Sequence, residues 1–171
     1  MRLRPFIMDR DYEEISNWIT EERAHALWCA NRMPYPMDRQ GLESLLQEIG
    51  FRFGDSAYVA TTDDGKVTGF FCYGVNLTTN EGMLKFVMVD PAERGKGIGK
   101  AMLRLAVRYA FAVTGADAVQ LNVFPENPRA QKCYEGVGFR TRKTDLNAFR
   151  YKDESWGRRN MVIRKTDGPA V

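Results

Sequence analysis

Between residues 84 and 102 the chain reads Leu-Lys-Phe-Val-Met-Val-Asp-Pro-Ala-Glu-Arg-Gly-Lys-Gly-Ile-Gly-Lys-Ala-Met. An apolar strand runs directly into a basic turn punctuated by Gly95, Gly97 and Gly99, and a helix follows at once. Glycine tolerates positive φ and leaves no Cβ in the way, so backbone N–H groups can turn inward. The first turn of a helix leaves its own N–H groups unpaired, and its dipole favours an anion. With Arg94, Lys96 and Lys100 alongside, the segment is built to hold a diphosphate.

Two familiar phosphate turns do not fit. The dinucleotide fingerprint needs Gly-x-Gly-x-x-Gly; here the third glycine falls one residue early and Lys100 takes its place. The triphosphate loop ends in Gly-Lys-Ser/Thr, whereas Gly99-Lys100 is followed by Ala101, which has no hydroxyl for Mg²⁺. What remains is Arg94-Gly95-Lys96-Gly97-Ile98-Gly99, an Arg-x-x-Gly-x-Gly turn.

That turn resembles the one with which the GNAT N-acetyltransferase superfamily grips the pyrophosphate of acetyl-coenzyme A. A second segment resembles the family's other motif: Leu121-Asn-Val-Phe-Pro-Glu-Asn127-Pro-Arg-Ala130-Gln-Lys-Cys133-Tyr134-Glu135-Gly-Val-Gly138-Phe139. It is a strand, an Asn, a short helix carrying Ala and Tyr, then Gly-Phe. The resemblance covers roughly residues 56–165. The looser first fifty residues, with their Leu3-Arg-Pro opening and the Trp18 helix, look like the ribosomal-protein N-terminal acetyltransferase branch and its antibiotic-modifying relatives.

Composition narrows the class. The 171 residues, 44% hydrophobic and 27% charged, suit one domain, 1–171, with a sizeable core. No run is long enough for a membrane span and the N-terminus has no signal-peptide pattern, so a cytoplasmic protein is expected. Cys29, Cys72 and Cys133 lack metal or disulfide spacing, which predicts free buried thiols and no metal site, with Cys133 the one nearest a ligand. The single histidine, His25, has no nucleophile turn around it and is expected at the surface or lining a pocket. A net charge of +3, locally clustered, argues against nucleic acid as partner; the cluster at 94–100 is accounted for by cofactor phosphates.

Periodicity predicts helices over about 10–20 (capped by Asp9), 21–30, from Asp38 to Gly54, over 98–114 with Met102, Leu105, Ala106, Tyr109 and Val113 inward and Gly115 as cap, and from Pro128 with Asn127 as N-cap. Strands are predicted at 2–7, 57–61, 66–77, 83–89, 119–124, 138–145 and 156–165. The order reads as α/β of the α+β type: a mixed, mostly antiparallel sheet of about seven strands flanked by helices, with one parallel pair flanking the helix at 98–114. The resemblance implies that this pair splays and takes the pantetheine arm between its strands.

The resemblance also assigns roles. The coenzyme would be held by Arg94, Gly95, Lys96, Gly97, Ile98, Gly99, Lys100 and Asn127, with backbone N–H groups of Val87, Met88 and Val89 near the thioester. Tyr134 stands where the family places the acid that meets the leaving sulfur. Some members carry a Glu base on the fourth strand; here that position is Met83. Glu81, two residues earlier on the same strand face, is the tentative base, and Glu126 a further candidate. A lysine amine near pKa 10.4 is neutral in roughly one molecule in a few thousand at pH 7, an α-amine near 7.8 in roughly one in seven. A weak base therefore favours protein N-termini, amino acids or small amines such as aminoglycosides. The expected function is acetyl transfer from acetyl-coenzyme A to a primary amine by direct attack in a ternary complex. A non-catalytic acyl-coenzyme A sensor and a tRNA-directed transferase are the alternatives. Trp28, Tyr35, Phe149, Tyr151 and Trp156 are candidate acceptor-pocket walls, and Glu21, Glu22 and Asp38 candidate partners for a cationic acceptor. Dimers are frequent in the family, and a homodimer is expected by that analogy alone.

Overall fold

A computed structural model describes residues 1–167. The element order is β1 (Arg2–Pro5), α1 (Met8–Ser16), α2 (Glu22–Cys29), α3 (Arg39–Phe53), β2 (Ser56–Thr61), β3 (Val67–Asn76), β4 (Glu81–Val89), α4 (Ile98–Ala112), β5 (Ala118–Val123), α5 (Pro128–Glu135), β6 (Arg140–Tyr151) and β7 (Glu154–Arg164), with a single 3₁₀ turn at Pro91–Glu93. The seven strands form one sheet in the order β1-β2-β3-β4-β5-β7-β6. Every pairing is antiparallel except β4 with β5. The α+β fold read from the sequence is the fold observed.

Alternation along β4 and β5 splits the core between the two sheet faces. Leu84, Leu121 and Val123 pack with Met102, Leu103, Ala106 and Val107 of α4 and with Tyr134 of α5. Phe70, Cys72 and Met88 pack on the other face with Ile15, Cys29, Leu42, Leu45 and Ile49 of α1, α2 and α3. Each fully buried Leu, Ile or Phe contributes about 1.5–3 kcal/mol.

Several local boundaries differ from the sequence expectation. Helix α1 begins at Met8 and Ile7 is its N-cap. Asp9 is therefore inside the helix, and it is Asp11 that takes the Ile7 N–H at 2.9 Å while pairing with Arg4 at 2.7 Å. Helix α4 stops at Ala112, leaving Val113 69% exposed rather than inward. Gly115 acts two residues after the cap, in the turn that returns the Ala116 N–H to the Ala110 carbonyl at 3.1 Å. The last hairpin is far longer than expected. Its β6 is mostly exposed and polar and its register is broken between Thr141 and Lys143 and between Asp145 and Phe149, so no clean alternation marks it in the sequence. Asp38 caps α3 as expected, its Oδ1 accepting from the Gly41 N–H at 2.6 Å. Among the described residues no helix is long and apolar enough to cross a membrane.

Candidate active site

The parallel pairing of β4 with β5 runs from Glu81–Ala118 to Leu84–Leu121 and stops there. Beyond it β5 stays with β7 as far as the Val123–Arg159 pair. β4 turns away through a bulge: Cys72 faces Lys85 and Phe70 faces Met88, so Phe86 and Val87 share the place of one residue. Phe86 takes φ +52°, and its carbonyl accepts from the Trp28 indole N–H at 2.8 Å. The edge of β4 beyond Leu84 has no strand partner on the β5 side. The result is a cleft of about 600 Å³ between the diverging strands, the size of a small-ligand site.

At one end of the cleft stands the glycine turn. The Asp90 carboxylate accepts from the Ala92 N–H at 2.8 Å, and Arg94 Nε donates to the Val89 carbonyl at 3.3 Å. Gly95 and Gly97 have φ of +84° and +82°, and no other atom comes within 4 Å of where a Cβ would stand. Their conformation demands glycine while the space above is open. Gly97 caps α4 with no side-chain bond, and the Ala101 N–H is the first to find an intrahelical carbonyl, that of Gly97. The amides of Ile98, Gly99 and Lys100 are thus the unpaired first turn. Arg94 is driven down from its usual high pKa by burial and by the nearby Arg129. Arg94, Lys100, Arg129 and Lys132 all line the cleft. Unpaired amides, a helix dipole and converging cations fit a pyrophosphate.

Each residue singled out in the sequence has a definite place. Val87, Met88, Val89, Arg94, Gly95, Gly97, Ile98, Gly99, Lys100, Asn127 and Tyr134 line one cleft. Lys96 does not; it pairs with Glu93 at 3.1 Å. Asn127 caps α5 through its Oδ1, which accepts from the Ala130 N–H at 3.2 Å. Tyr134 is buried on α5 with its ring edge-on to Phe139, and burial pushes its phenol above the usual pKa. Cys133 also lines the cleft, and burial pushes its thiol up.

The candidate carboxylates stand elsewhere; Glu93, which does line the cleft, is paired with Lys66 at 2.9 Å and Lys96 at 3.1 Å beside the glycine turn. Glu81 is held by Arg142 at 2.8 Å and by the Gln120 amide at 2.7 Å, and it is not among the cleft residues. The tentative base therefore sits in an ion pair outside the cleft. Glu126 has one carboxylate oxygen buried without a partner among the described residues, but it too is outside the cleft lining. Glu22 pairs with Lys152 at 2.7 Å, and Asp38 is consumed in capping α3. Of the aromatic candidates only Trp28 lines the cleft. Phe149, Tyr151 and Trp156 pack together, with Arg23 lying over Tyr151 and Trp156 while it pairs with Glu154. Tyr35 donates to the Thr20 carbonyl at 2.7 Å. His25 is neither at the surface nor in the cleft: it is fully buried beside Cys29, with its pKa lowered by burial.

Sequence reasoning passed over Arg129, Lys132 and Asn122, and the Ile19, Ala24 and Leu27 wall. The one available signal for Asn122 was the alternation of Gln120 and Asn122 with Val119, Leu121 and Val123 along β5, which sets a polar face against an apolar one.

The family model of the Acetyltransferase (GNAT) family matches residues 12–139. Among curated proteins, the mycothiol acetyltransferase of Nocardiopsis dassonvillei is 33% identical over 156 residues, covering 85% of this chain and 44% of that protein. The mycothiol acetyltransferase of Kineococcus radiotolerans is 30% identical over 148 residues, covering 85% and 45%. The chain thus spans less than half the length of these relatives. Among solved structures, the spermidine N-acetyltransferase of Vibrio cholerae in complex with CoA and spermine superposes with a TM-score of 0.81 at 20% identity, covering 97% of this chain and 96% of that one. At that identity the likeness is one of fold.

Proposed function

The chain belongs to the GNAT acetyltransferase family, and from that premise we propose that it moves the acetyl group of acetyl-coenzyme A to a primary amine, as one acyltransferase domain. The observation that carries this reading is the N-terminus of α4, which has no side-chain cap bond, lies beside Arg94, Lys100 and Arg129, and is continuous with the splay between β4 and β5. A diphosphate joined to an extended amide arm has the shape of that space. Relatives named as mycothiol acetyltransferases, and a structural neighbour named as a spermidine N-acetyltransferase, support acetyl transfer in general without fixing the acceptor. Three free cysteines support a cytoplasmic setting.

Bound there, the coenzyme supplies an acetyl thioester. The glycine turn and the α4 amides orient it, and orientation alone can supply several orders of magnitude in rate. The unpaired edge of β4 gives the arm a strand-like partner, with Val87 to Val89 beside the thioester carbonyl. Tyr134 donates to the departing sulfur. Its raised pKa keeps it protonated, so it acts chiefly as a hydrogen-bond donor to a sulfur that is the weaker base. Glu81, occupied by Arg142, takes no part. The acceptor amine must then arrive deprotonated, which favours amines of low pKa.

Titration calorimetry with coenzyme A tests the reading. Wild type should bind it, and Gly97→Asp, which puts a carboxylate and a strained φ on the phosphate turn, should abolish the heat. Absence of binding by the wild type, or unaltered binding by Gly97→Asp, would overturn the assignment. Binding without thiol release on any amine would favour a sensor, the reading to which Met83 and the sequestered Glu81 lend some support.

A further inference from the structure

A chain of side-chain hydrogen bonds crosses the sheet face on the α2 side and ends in the cleft. Arg142 sits at its centre. The guanidinium can only donate, and it donates to Glu81 Oε1 at 2.8 Å, to Gln120 Oε1 at 2.9 Å and to Asn160 Oδ1 at 2.8 Å. That fixes the direction of every amide beyond it. Gln120 must turn its Nε2 to Glu81, which it does at 2.7 Å. Asn160 must turn its Nδ2 outward, to Gln120 Oε1 at 3.0 Å and to Asn122 Oδ1 at 3.1 Å. Asn122 thus turns its oxygen toward Asn160. Its Nδ2 group has no partner among the described residues, and the residue is exposed and lines the cleft.

The position of Asn122 matters as much as its polarity. Its neighbours Leu121 and Val123 face α4, so Asn122 faces the opposite side of the sheet. The coenzyme's phosphates belong at the α4 end. The other wall of the cleft is Ile19, Ala24, Leu27 and Trp28, and the space between that wall and Asn122 is where an acceptor must stand. An acceptor there meets the free Asn122 N–H. A bare polyamine has no oxygen for that donor, which stays on water, whereas an amine with a nearby oxygen gains a hydrogen bond from it.

We infer that Asn122 is an acceptor-binding residue, fixed as a donor by Arg142 and Asn160, and that it selects primary amines carrying a carbonyl or hydroxyl oxygen close to the amine. This rests on the acetyltransferase reading above and narrows its substrate class. Peptide N-termini and amino sugars share the required chemistry.

Steady-state acetylation of a glycyl tripeptide amide, glucosamine and 1,4-diaminobutane tests it, in wild type, Asn122→Ala and Asn122→Asp. In wild type, kcat/KM per neutral amine should favour the oxygen-bearing acceptors, and whichever of the two is faster identifies the source. Asn122→Ala should lower their kcat/KM relative to that for the diamine by about two- to tenfold, the size of one neutral hydrogen bond. Asn122→Asp should shift the ratio further toward the diamine, because a carboxylate repels the oxygen and attracts the cation. The ratio of variant to wild type cancels differences in amine pKa. Ratios unmoved in both variants, a change confined to the KM for acetyl-coenzyme A, or turnover of the diamine alone or of no acceptor would overturn the inference. Coenzyme binding in those cases leaves the acetyltransferase reading standing; absence of coenzyme binding removes both.

Discussion

At the scale of single residues, Tyr134 and Glu81 mark the two limits of reading a site from sequence. Tyr134 was legible because Asn127, Ala130 and the Gly138-Phe139 pair set its register on one short helix, and local geometry then carries it to the cleft. Tyr134→Phe should lower kcat at least tenfold with the affinity for coenzyme A nearly unchanged. The pH profile carries a further expectation. Burial raises the phenol's pKa, so the active neutral form persists to higher pH than for a free tyrosine. kcat should rise as the acceptor amine deprotonates, with no descending limb below about pH 10. A limb falling at lower pH in wild type and absent in Tyr134→Phe would contradict this. Glu81 was placed on the correct strand, but its availability depended on Arg142, 61 residues away, and no local pattern reports that.

At the scale of elements, the strand, turn and helix from β4 to α4 were readable to within two residues because each boundary has a local cause. Glycine at positive φ turns the chain, and an apolar stripe commits α4 to the sheet. Asp38 was readable for the same reason, since an N-cap acts three residues away. Asp38→Ala should cost about 1 kcal/mol, a fall in Tm of about 2–4 °C for a chain of this size. The KM for acetyl-coenzyme A should stay put because α3 does not line the cleft. The β6–β7 hairpin resisted reading. Its strands are held by cross-strand polar pairs such as Arg158 with Asp145 at 3.0 Å, and by Arg23 of α2 pairing with Glu154. Such contacts leave no periodicity in the sequence. The bulge at Phe86 was likewise hidden, because it is imposed by register against β3 and secured by Trp28.

At the scale of the whole molecule, the sheet separates two compartments, and His25 belongs to the one under α1–α3. It is buried beside Cys29 and Trp28, and burial lowers its pKa. The folded state therefore accommodates the neutral imidazole while the unfolded chain binds a proton near pH 6.5. Stability should be full above that value and fall as pH drops below it. Asp11, with its pKa lowered although burial opposes its bonds to Arg4 and the Ile7 N–H, adds a second loss only at more acid pH, below the usual carboxylate range. Melting followed at pH 7.5 and pH 5.5 should show a lower Tm at pH 5.5 in wild type and a smaller difference in His25→Gln; an equal difference would place the acid sensitivity elsewhere.

The sequence by itself determined the glycine turn, the order of elements and the family, because glycine conformation, helix caps and apolar periodicity act within a few residues. Only the tertiary structure decided which polar groups remain free to meet a substrate. Glu81, Glu22 and Asp38 are taken up by partners or caps, while Asn122 keeps a donor open. Whether a side chain is spent or available depends on what the folded sheet brings within 3 Å of it, and that proximity is written in no single stretch of chain.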